Sequence, residues 1–164
     1  MFFNRILRSP PIPTLLFTGL KTVKVATRRI DIGVRAIVLD PEGRVVLIRH
    51  TYLPGWHLPG GGIKRWETVE QAAIREVREE AGFHVERFDR FVGLYANFQV
   101  GWCNHVALFA GSGVPVAKAE PSLEVAEVTT VDLDALPQNL ARGTAPRIRD
   151  WREHRHPSAN WEDE

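Results

Sequence analysis

The sequence is poor in cysteine and has no long apolar run. Its 164 residues include one cysteine, Cys103, which excludes an intrachain disulfide and a metal site made of clustered cysteines. No stretch approaches the ~20 apolar residues that a membrane-spanning helix requires. The longest apolar stretch near the start, residues 15–17, is followed by Thr18 and Gly19. These absences favour a cytoplasmic protein with no membrane span.

Acidic residues are absent from the first 30 positions. That segment holds six basic residues, and the rest of the chain has 15 basic residues against 20 acidic ones, a balance of −5. A basic segment of this kind is typical of a loosely packed extension, a transit peptide or a membrane-surface arm. We expect residues 1–29 to form an N-terminal extension and residues 30–164 to form one domain with its own core.

Local patterns predict a mixed α/β domain. A capping box of Thr68 and Gln71 predicts a helix over 69–81 that ends at Gly82. An Asp-Pro-Glu-Gly turn at 40–43 predicts a hairpin over 32–48. The remaining predictions are strands at 56–58, 83–85, 91–100, 102–110 and 124–131, turns at 111–113 and 134–136, and a second helix at 145–153. Together these elements predict an α/β/α sandwich with a mixed central sheet.

Three glutamates crowd the end of the first predicted helix. Glu76, Glu79 and Glu80 precede Gly82, although like charges four residues apart repel and the C-terminal end of a helix prefers cations. On a helical wheel the three fall on one arc beside short side chains, which predicts that their carboxylates converge. A divalent cation would reverse their repulsion, and Mg²⁺ takes carboxylate oxygens.

The stretch around these glutamates has a wider pattern. Residues 61–83 read GGIKRWETVEQAAIREVREEAGF, and the fixed positions are Gly61, Glu67, Arg75, Glu76, Glu79, Glu80 and Gly82, with aliphatic Val77 and apolar Phe83. This pattern resembles the Nudix box, with no departure from it. The segment WHLPGGG at 56–62 and the strand and turn at 124–137 resemble the same family. The resemblance therefore extends over residues 32–137.

The resemblance implies the Nudix fold and a hydrolase that uses Mg²⁺ or Mn²⁺. Such an enzyme cleaves the diphosphate of a nucleoside diphosphate linked to another group. In the implied catalytic set, three glutamates bind metal, an arginine orients them and a further glutamate supports the loop–helix geometry. These residues are Glu76, Glu79, Glu80, Arg75 and Glu67, in that order.

Two further metal ligands are implied outside the helix. The carbonyl of Gly60 can join the glutamates, and a glutamate outside the box often completes the site. Glu124 is the candidate, ahead of Glu127 and Glu120, although a surface position in the predicted strand is an equal alternative for Glu124.

Substrate binding is less well marked. The candidates are Arg49, Gly61, Gly62, Phe98 and Trp102. An arginine can bind phosphate, glycines let the backbone approach a ligand closely, and aromatic rings can stack on a base. A surface arginine and core aromatic residues are the alternatives. The same choice between a structural and a functional role applies to His50, His57, Trp66 and Tyr95.

Three functional classes follow from this pattern. The first is a hydrolase of small nucleotide derivatives, with no nucleic-acid partner and with a homodimer left open. The second is a non-catalytic ligand-binding module, which typically loses box glutamates that this chain retains. The third is an RNA 5′-pyrophosphohydrolase, which the acidic domain disfavours because RNA contacts require a basic face. Positions 98–100 hold neither the proline nor the tyrosine that marks some subfamilies, so the substrate stays open.

Overall fold

The computed structural model describes residues 30–98, 103–116 and 123–163. These ranges contain β1 (Ile30–Leu39), β2 (Val45–His50), β3 (Trp56–His57), α1 (Val69–Glu76), β4 (Phe83–His84), β5 (Arg90–Asn97), β6 (Cys103–Ser112), β7 (Val114–Pro115), β8 (Val125–Val131) and α2 (Thr144–Arg152). No helix in these ranges is long and apolar enough to cross a membrane. The predicted extension, residues 1–29, lies outside the described residues and stays a prediction.

Six strands form one mixed sheet. Its order is β3-β2-β1-β6-β5, and β8 pairs with β2. β1 runs parallel to β6 along its whole length, from Ile30 opposite Cys103 to Leu39 opposite Ser112. β5 and β6 are antiparallel. Since α1 and α2 cover opposite faces of this sheet, the predicted α/β/α sandwich with a mixed sheet is confirmed.

The predicted hairpin over 32–48 opens soon after its turn. The turn itself forms, because Asp40 Oδ1 accepts hydrogen bonds from the backbone N–H groups of Glu42 and Arg44. β1 and β2 pair at Leu39 and Val45. Further along, the backbone of residues 59–61 lies beside β1, and Gly61 O accepts the Val34 N–H at 2.9 Å. Residues 59–61 thus take the place of β2 beside this part of β1, and a gap opens between β1 and β2.

The central helix begins and ends where predicted, but its last turn is not regular α-helix. Thr68 and Gln71 form the capping box, and Gly82 ends the segment in the left-handed region at φ 69°. The regular α-helix stops at Glu76, however, and residues Val77–Ala81 form a π-helical turn. A π turn is wider than an α turn, so it rotates the residues that follow relative to those before it.

One predicted turn is wrong. Gly111 and Ser112 belong to β6, where they pair with Val38 and Leu39 of β1. Glycine next to serine is typical of turns, but here the long parallel register with β1 extends the strand through both residues. The predicted ends of β5 and β6 at 99–102 lie outside the described residues.

Two hydrophobic clusters, one on each face of the sheet, form the core. The first joins β1 and β6 to α1, with Val34, Ala36 and Val77 among its members. The second includes Ile37 and Leu108 of the sheet, Ile148 of α2 and Trp161 of the C-terminal segment, with others. Each large side chain buried in this way contributes roughly 1.5–3 kcal/mol. The clusters fix β1 from both sides, beside the gap that it forms with β2.

Candidate active site

A cavity of about 570 Å³ lies where β1 diverges from β2. This volume is within the range of small-molecule sites. Its lining comes from β1, the loop Gly60–Gly62, the end of the central helix, the ends of β5 and β6, and the C-terminal segment. The polar side chains in the lining include Asp31, Arg35, His50, Tyr52, Glu76, Glu80, Asn97, Asn104 and Glu124.

Glu80 is the most strongly perturbed carboxylate of the cavity. Its Oε2 accepts a hydrogen bond of 2.8 Å from the Gly60 N–H. The pKa of Glu80 is raised to about 7, mainly by burial and to a smaller extent by the negative charges of Glu76 and Glu124, while Arg35 and the Gly60 N–H oppose the rise. The charged form of Glu80 is therefore disfavoured in this environment.

Arg75 ties the central helix to the glycine loop. Its guanidinium donates to both oxygens of Glu67, at 2.8 and 2.9 Å, and to Glu76 Oε1 at 2.7 Å. It also donates to the Gly62 carbonyl at 2.9 Å. Hydrogen bonding to Arg75 lowers the pKa of Glu67 to about 2. Arg75 thus connects Glu67, Glu76 and the Gly62 carbonyl, and the orienting role of Arg75 and the supporting role of Glu67 stay predictions.

The predicted convergence of the three box glutamates is wrong for this arrangement. Within the described ranges, no three carboxylate, histidine or cysteine side chains lie close enough to hold a metal ion. Glu76 and Glu80 line the cavity, whereas Glu79 is half exposed and bonds to Lys64 and Arg75. The π turn changes the angular positions of Glu79 and Glu80 relative to Glu76, and of these two only Glu80 lines the cavity.

The donor chemistry still fits a hard divalent cation. Glu76, Glu80 and Glu124 supply carboxylate oxygens to one cavity, which are the ligands that Mg²⁺ takes. Burial, and to a smaller extent the charges of Glu76 and Glu124, raises the pKa of Glu80, and a bound cation would stabilise its charged form. Gly60 also lines the cavity, and its N–H is engaged with Glu80.

The three glutamates proposed to complete the site differ in position. Glu124 lies at the rim of the cavity, just before β8. Its carbonyl accepts the Thr51 N–H at 2.9 Å, which fixes the backbone there. Glu127 instead pairs with Arg49 of the neighbouring strand. Glu120 lies outside the described residues.

Only some of the predicted substrate-binding residues line the cavity. Gly61 and Gly62 line the cavity. Arg49 is not in the lining; it pairs with Glu127 and lies 5.7 Å from the centre of the Trp56 ring, as a surface arginine. Phe98 is 59% exposed and outside the lining. The prediction for Trp102 falls outside the described residues.

Two histidines and two aromatic residues have structural positions. His50 and His57 line the cavity with ring centres 5.1 Å apart, and burial lowers the pKa of each to about 4, with Arg35 contributing. They are therefore neutral near pH 7. Tyr95 is fully buried in the core, and Trp66 is 90% exposed.

Sequence reasoning missed several polar residues of the cavity, among them Asp31, Arg35, Tyr52, Asn97 and Asn104. Arg35 donates from Nη1 to the Leu58 carbonyl at 2.6 Å. A charged residue alone within the apolar strand GVRAIVL was the available signal for it. Tyr52 stacks on His50 at 5.2 Å. The two asparagines carry no local signal, because their position depends on strand pairing.

Comparison with known proteins gives consistent results. The NUDIX domain model matches residues 29–152. A putative 8-oxo-dGTP diphosphatase of Bacillus subtilis (strain 168) is 28% identical over 120 residues, which are 73% of this chain and 78% of that protein. An RNA pyrophosphohydrolase of Hahella chejuensis is 35% identical over 65 residues, 40% of this chain and 39% of that protein. The crystal structure of a MutT NUDIX hydrolase from Burkholderia pseudomallei has a TM-score of 0.63 and 26% identity, covering 74% of this chain and 97% of that one.

Proposed function

The chain belongs to the Nudix hydrolase family, and on that premise we propose that it cleaves, with a bound divalent metal ion, the diphosphate linkage of a nucleoside diphosphate joined to another group. One observation carries the proposal. Glu76 and Glu80 of the box reach the same cavity as Arg35, Glu124 and the glycine loop. Carboxylates for a cation and a cation for a phosphate thus face one ligand-sized space.

We assign the metal to Glu76, Glu80 and Glu124, which share the cavity, with the Gly60 carbonyl as a further ligand. Glu79 stays a predicted ligand, and it would have to leave Lys64 and Arg75 to join them. When bound, Mg²⁺ or Mn²⁺ neutralises charge on the phosphoryl oxygens and makes a bound water more acidic. The raised pKa of Glu80 supports this assignment, because burial disfavours its charged form and a bound cation would stabilise that form.

The protein's own groups orient the substrate. Arg35 supplies a positive charge to the cavity, and its bond to the Leu58 carbonyl holds the guanidinium in place. Arg75 fixes Glu67 and Glu76 against the Gly62 carbonyl, so the loop and the carboxylates keep one geometry. Such fixed charge and position are what phosphoryl transfer requires of a protein.

RNA 5′-pyrophosphohydrolysis is the second candidate. The RNA pyrophosphohydrolase relative favours it, but that match is confined to 65 residues. The balance of −5 beyond residue 30 favours a small nucleotide, since RNA binding depends on phosphate contacts from a basic face. The name of the Bacillus subtilis relative places oxidised nucleoside triphosphates among the small substrates to test.

A substrate panel tests the proposal. It contains nucleoside triphosphates including 8-oxo-dGTP, ADP-ribose, a nucleotide sugar, a dinucleoside polyphosphate and a 5′-triphosphorylated RNA, each with Mg²⁺, with Mn²⁺ or with EDTA. We expect metal-dependent release of a phosphate-containing product from at least one small nucleotide. Turnover of RNA alone would favour the second candidate, and no turnover in the whole panel would favour a ligand-binding module.

A further inference from the structure

Exposed apolar side chains are concentrated on one face of the main sheet. This is the face that α1 covers, because Val34, Ala36 and Ala107 of the sheet pack with α1 in the first hydrophobic cluster. Ten large apolar side chains are exposed in the described ranges, and five of them lie on this face outside the buried cluster. We call these five the apolar patch, and they are Ile30, Ile32, Phe91, Leu94 and Phe98.

The members of the patch in β5 are placed by their partners in β6. Leu94 is the register partner of buried Ala107, and cross-strand partners project from the same face of a sheet. Phe91 is the partner of Phe109, and the centres of their rings lie 5.2 Å apart. Leu94 is nevertheless 50% exposed and Phe91 55% exposed. The core under α1 therefore continues into an uncovered apolar surface at β5.

The members in β1 extend this surface across the sheet. Ile30 and Ile32 precede Val34 by four and two residues, so the alternation of a strand gives all three the same face. Ile32 is the register partner of His105, and the ring of His105 lies 6.3 Å from the ring of Phe98. The patch thus runs from β1 over β6 to the end of β5. A contiguous apolar group of this kind marks an interaction site, whereas single exposed residues do not.

We propose that the occupant of the apolar patch is the chain's own N-terminal extension, residues 1–29. The extension joins the domain at Ile30, which is the most exposed member of the patch at 68%. The patch spans three strands, about 10 Å, and the ten residues before Ile30 can extend over at most about 36 Å. Those ten residues include Leu20, Val23 and Val25, so apolar side chains are within reach of the patch.

Charge favours the extension over a second copy of the domain. The extension holds six basic residues and no acidic one, whereas residues 31–164 have a balance of −5. Opposite net charges attract the extension to its own domain, and two domains of like charge repel each other. The covalent connection also keeps the extension at a high effective concentration beside the patch. Both effects give the extension an advantage over a free partner.

Limited proteolysis of the full chain tests this docking. Trypsin can cut the extension after Lys21, Lys24, Arg28 and Arg29. Where opening and closing are fast, the rate of cleavage follows the population of the undocked extension. Mass spectrometry of the chain under native conditions measures the rate at each site. Arg65, which is exposed in the loop before α1, provides an internal reference site in the domain.

Leu94→Gln removes an apolar contact from the patch. We expect cleavage within the extension to become roughly fivefold faster or more, because half of the leucine surface is available for burial by the docked segment. Cleavage after Arg65 should keep the rate of the wild type. Val114→Gln is the matched control, since Val114 is also 50% exposed but lies in β7 of the smaller sheet. That variant should leave both rates unchanged.

Equal cleavage of the extension in the wild type and in Leu94→Gln would overturn the inference. An equal acceleration after Arg65 would also overturn it, because the substitution would then act through the whole fold. Light scattering and a series of protein concentrations test the other occupant. A dimer that Leu94→Gln dissociates, with extension cleavage that slows as the concentration rises, would assign the patch to a second copy and overturn the inference. Nucleotide hydrolysis enters none of these outcomes, so the proposed function is tested separately.

Discussion

Glu80 combines burial, a backbone hydrogen bond and two like-charged neighbours. A lone carboxylate in such a place tends to hold a proton, and the pKa of about 7 expresses that tendency. Glu67 has the opposite environment, since Arg75 lowers its pKa to about 2. Two carboxylates of the same box therefore lie in opposite environments, because the charged form is stabilised at Glu67 and disfavoured at Glu80.

Replacing Glu80 by glutamine should stabilise the metal-free protein at high pH. The folded pKa of about 7 lies above the ordinary 4.5, so the stability that Glu80 contributes is fully present below 4.5 and is lost as the pH rises through 7. A glutamine does not ionise, so Glu80→Gln should not show this pH-dependent loss in the free energy of unfolding. In the wild type the loss amounts to roughly 3 kcal/mol at most. Urea unfolding in EDTA, at about pH 5 and about pH 8.5, measures the difference.

The control for this experiment is Glu86→Gln, at an exposed position outside the cavity lining. Its unfolding free energy should follow the wild type at both pH values, within about 0.5 kcal/mol. A Glu80→Gln protein no more stable than the wild type at the higher pH would contradict the electrostatic account of the site.

At the scale of elements, the conformation of the loop at Gly60 and its packing on β1 require a glycine at that position. Gly60 has φ 147°, and a Cβ there would lie 2.1 Å from the Val34 carbonyl oxygen. Gly60→Ala should therefore destabilise the fold by several kcal/mol, on the order of 3 or more, because two backbone segments must separate. Thermal and urea unfolding measure this loss.

Gly43→Ala is the control that separates the cost of a steric clash from the cost of a positive φ. Gly43 also has a positive φ, of 79°, but a Cβ there meets nothing within 4 Å. We expect that variant to lose only about 1–2 kcal/mol. If Gly60→Ala and Gly43→Ala lost the same free energy of unfolding, the close packing of the Gly60 loop on β1 would add nothing to stability.

Local sequence signals were reliable where local contacts decide the structure. The capping box at Thr68, the turn after Asp40 and the helix end at Gly82 all follow from side chains within four residues of one another. The π turn was not predictable in this way, since its sequence is compatible with a continuous helix. The grouping of Asp31, Asn97 and Asn104 in the cavity wall was equally hidden, because it exists only through the pairing of three strands distant in sequence.

For the molecule as a whole, Arg147 joins the last segment of the described chain to α2. The residue is 1% exposed and forms an ion pair with Asp150. Its guanidinium donates to three backbone carbonyls, those of Asn160, Trp161 and Asp163. These bonds hold Trp161 where it lines the cavity. The shape of the site thus depends on a residue in the core.

Arg147→Lys should destabilise the protein by roughly 3 kcal/mol, because an ammonium cannot bond three carbonyls with the fixed geometry of a guanidinium. Urea unfolding measures the change. Arg152→Lys is the matched control, since Arg152 also lies on α2 and makes an exposed pair with Asp134. That substitution should change stability by less than about 1 kcal/mol. Similar effects from both variants would argue against a role for Arg147 in holding the segment.

The most direct test of the central claim compares nucleotide hydrolysis by the wild type, Glu80→Gln and Glu86→Gln over a titration of Mg²⁺. We expect the wild type and Glu86→Gln to hydrolyse nucleotide at the same rate and only with metal. We expect Glu80→Gln, still folded, to lose at least about 100-fold in kcat/KM, which is about 2.7 kcal/mol of transition-state stabilisation. Full activity of Glu80→Gln, or wild-type turnover that persists in EDTA, would contradict a metal-dependent site built on this glutamate.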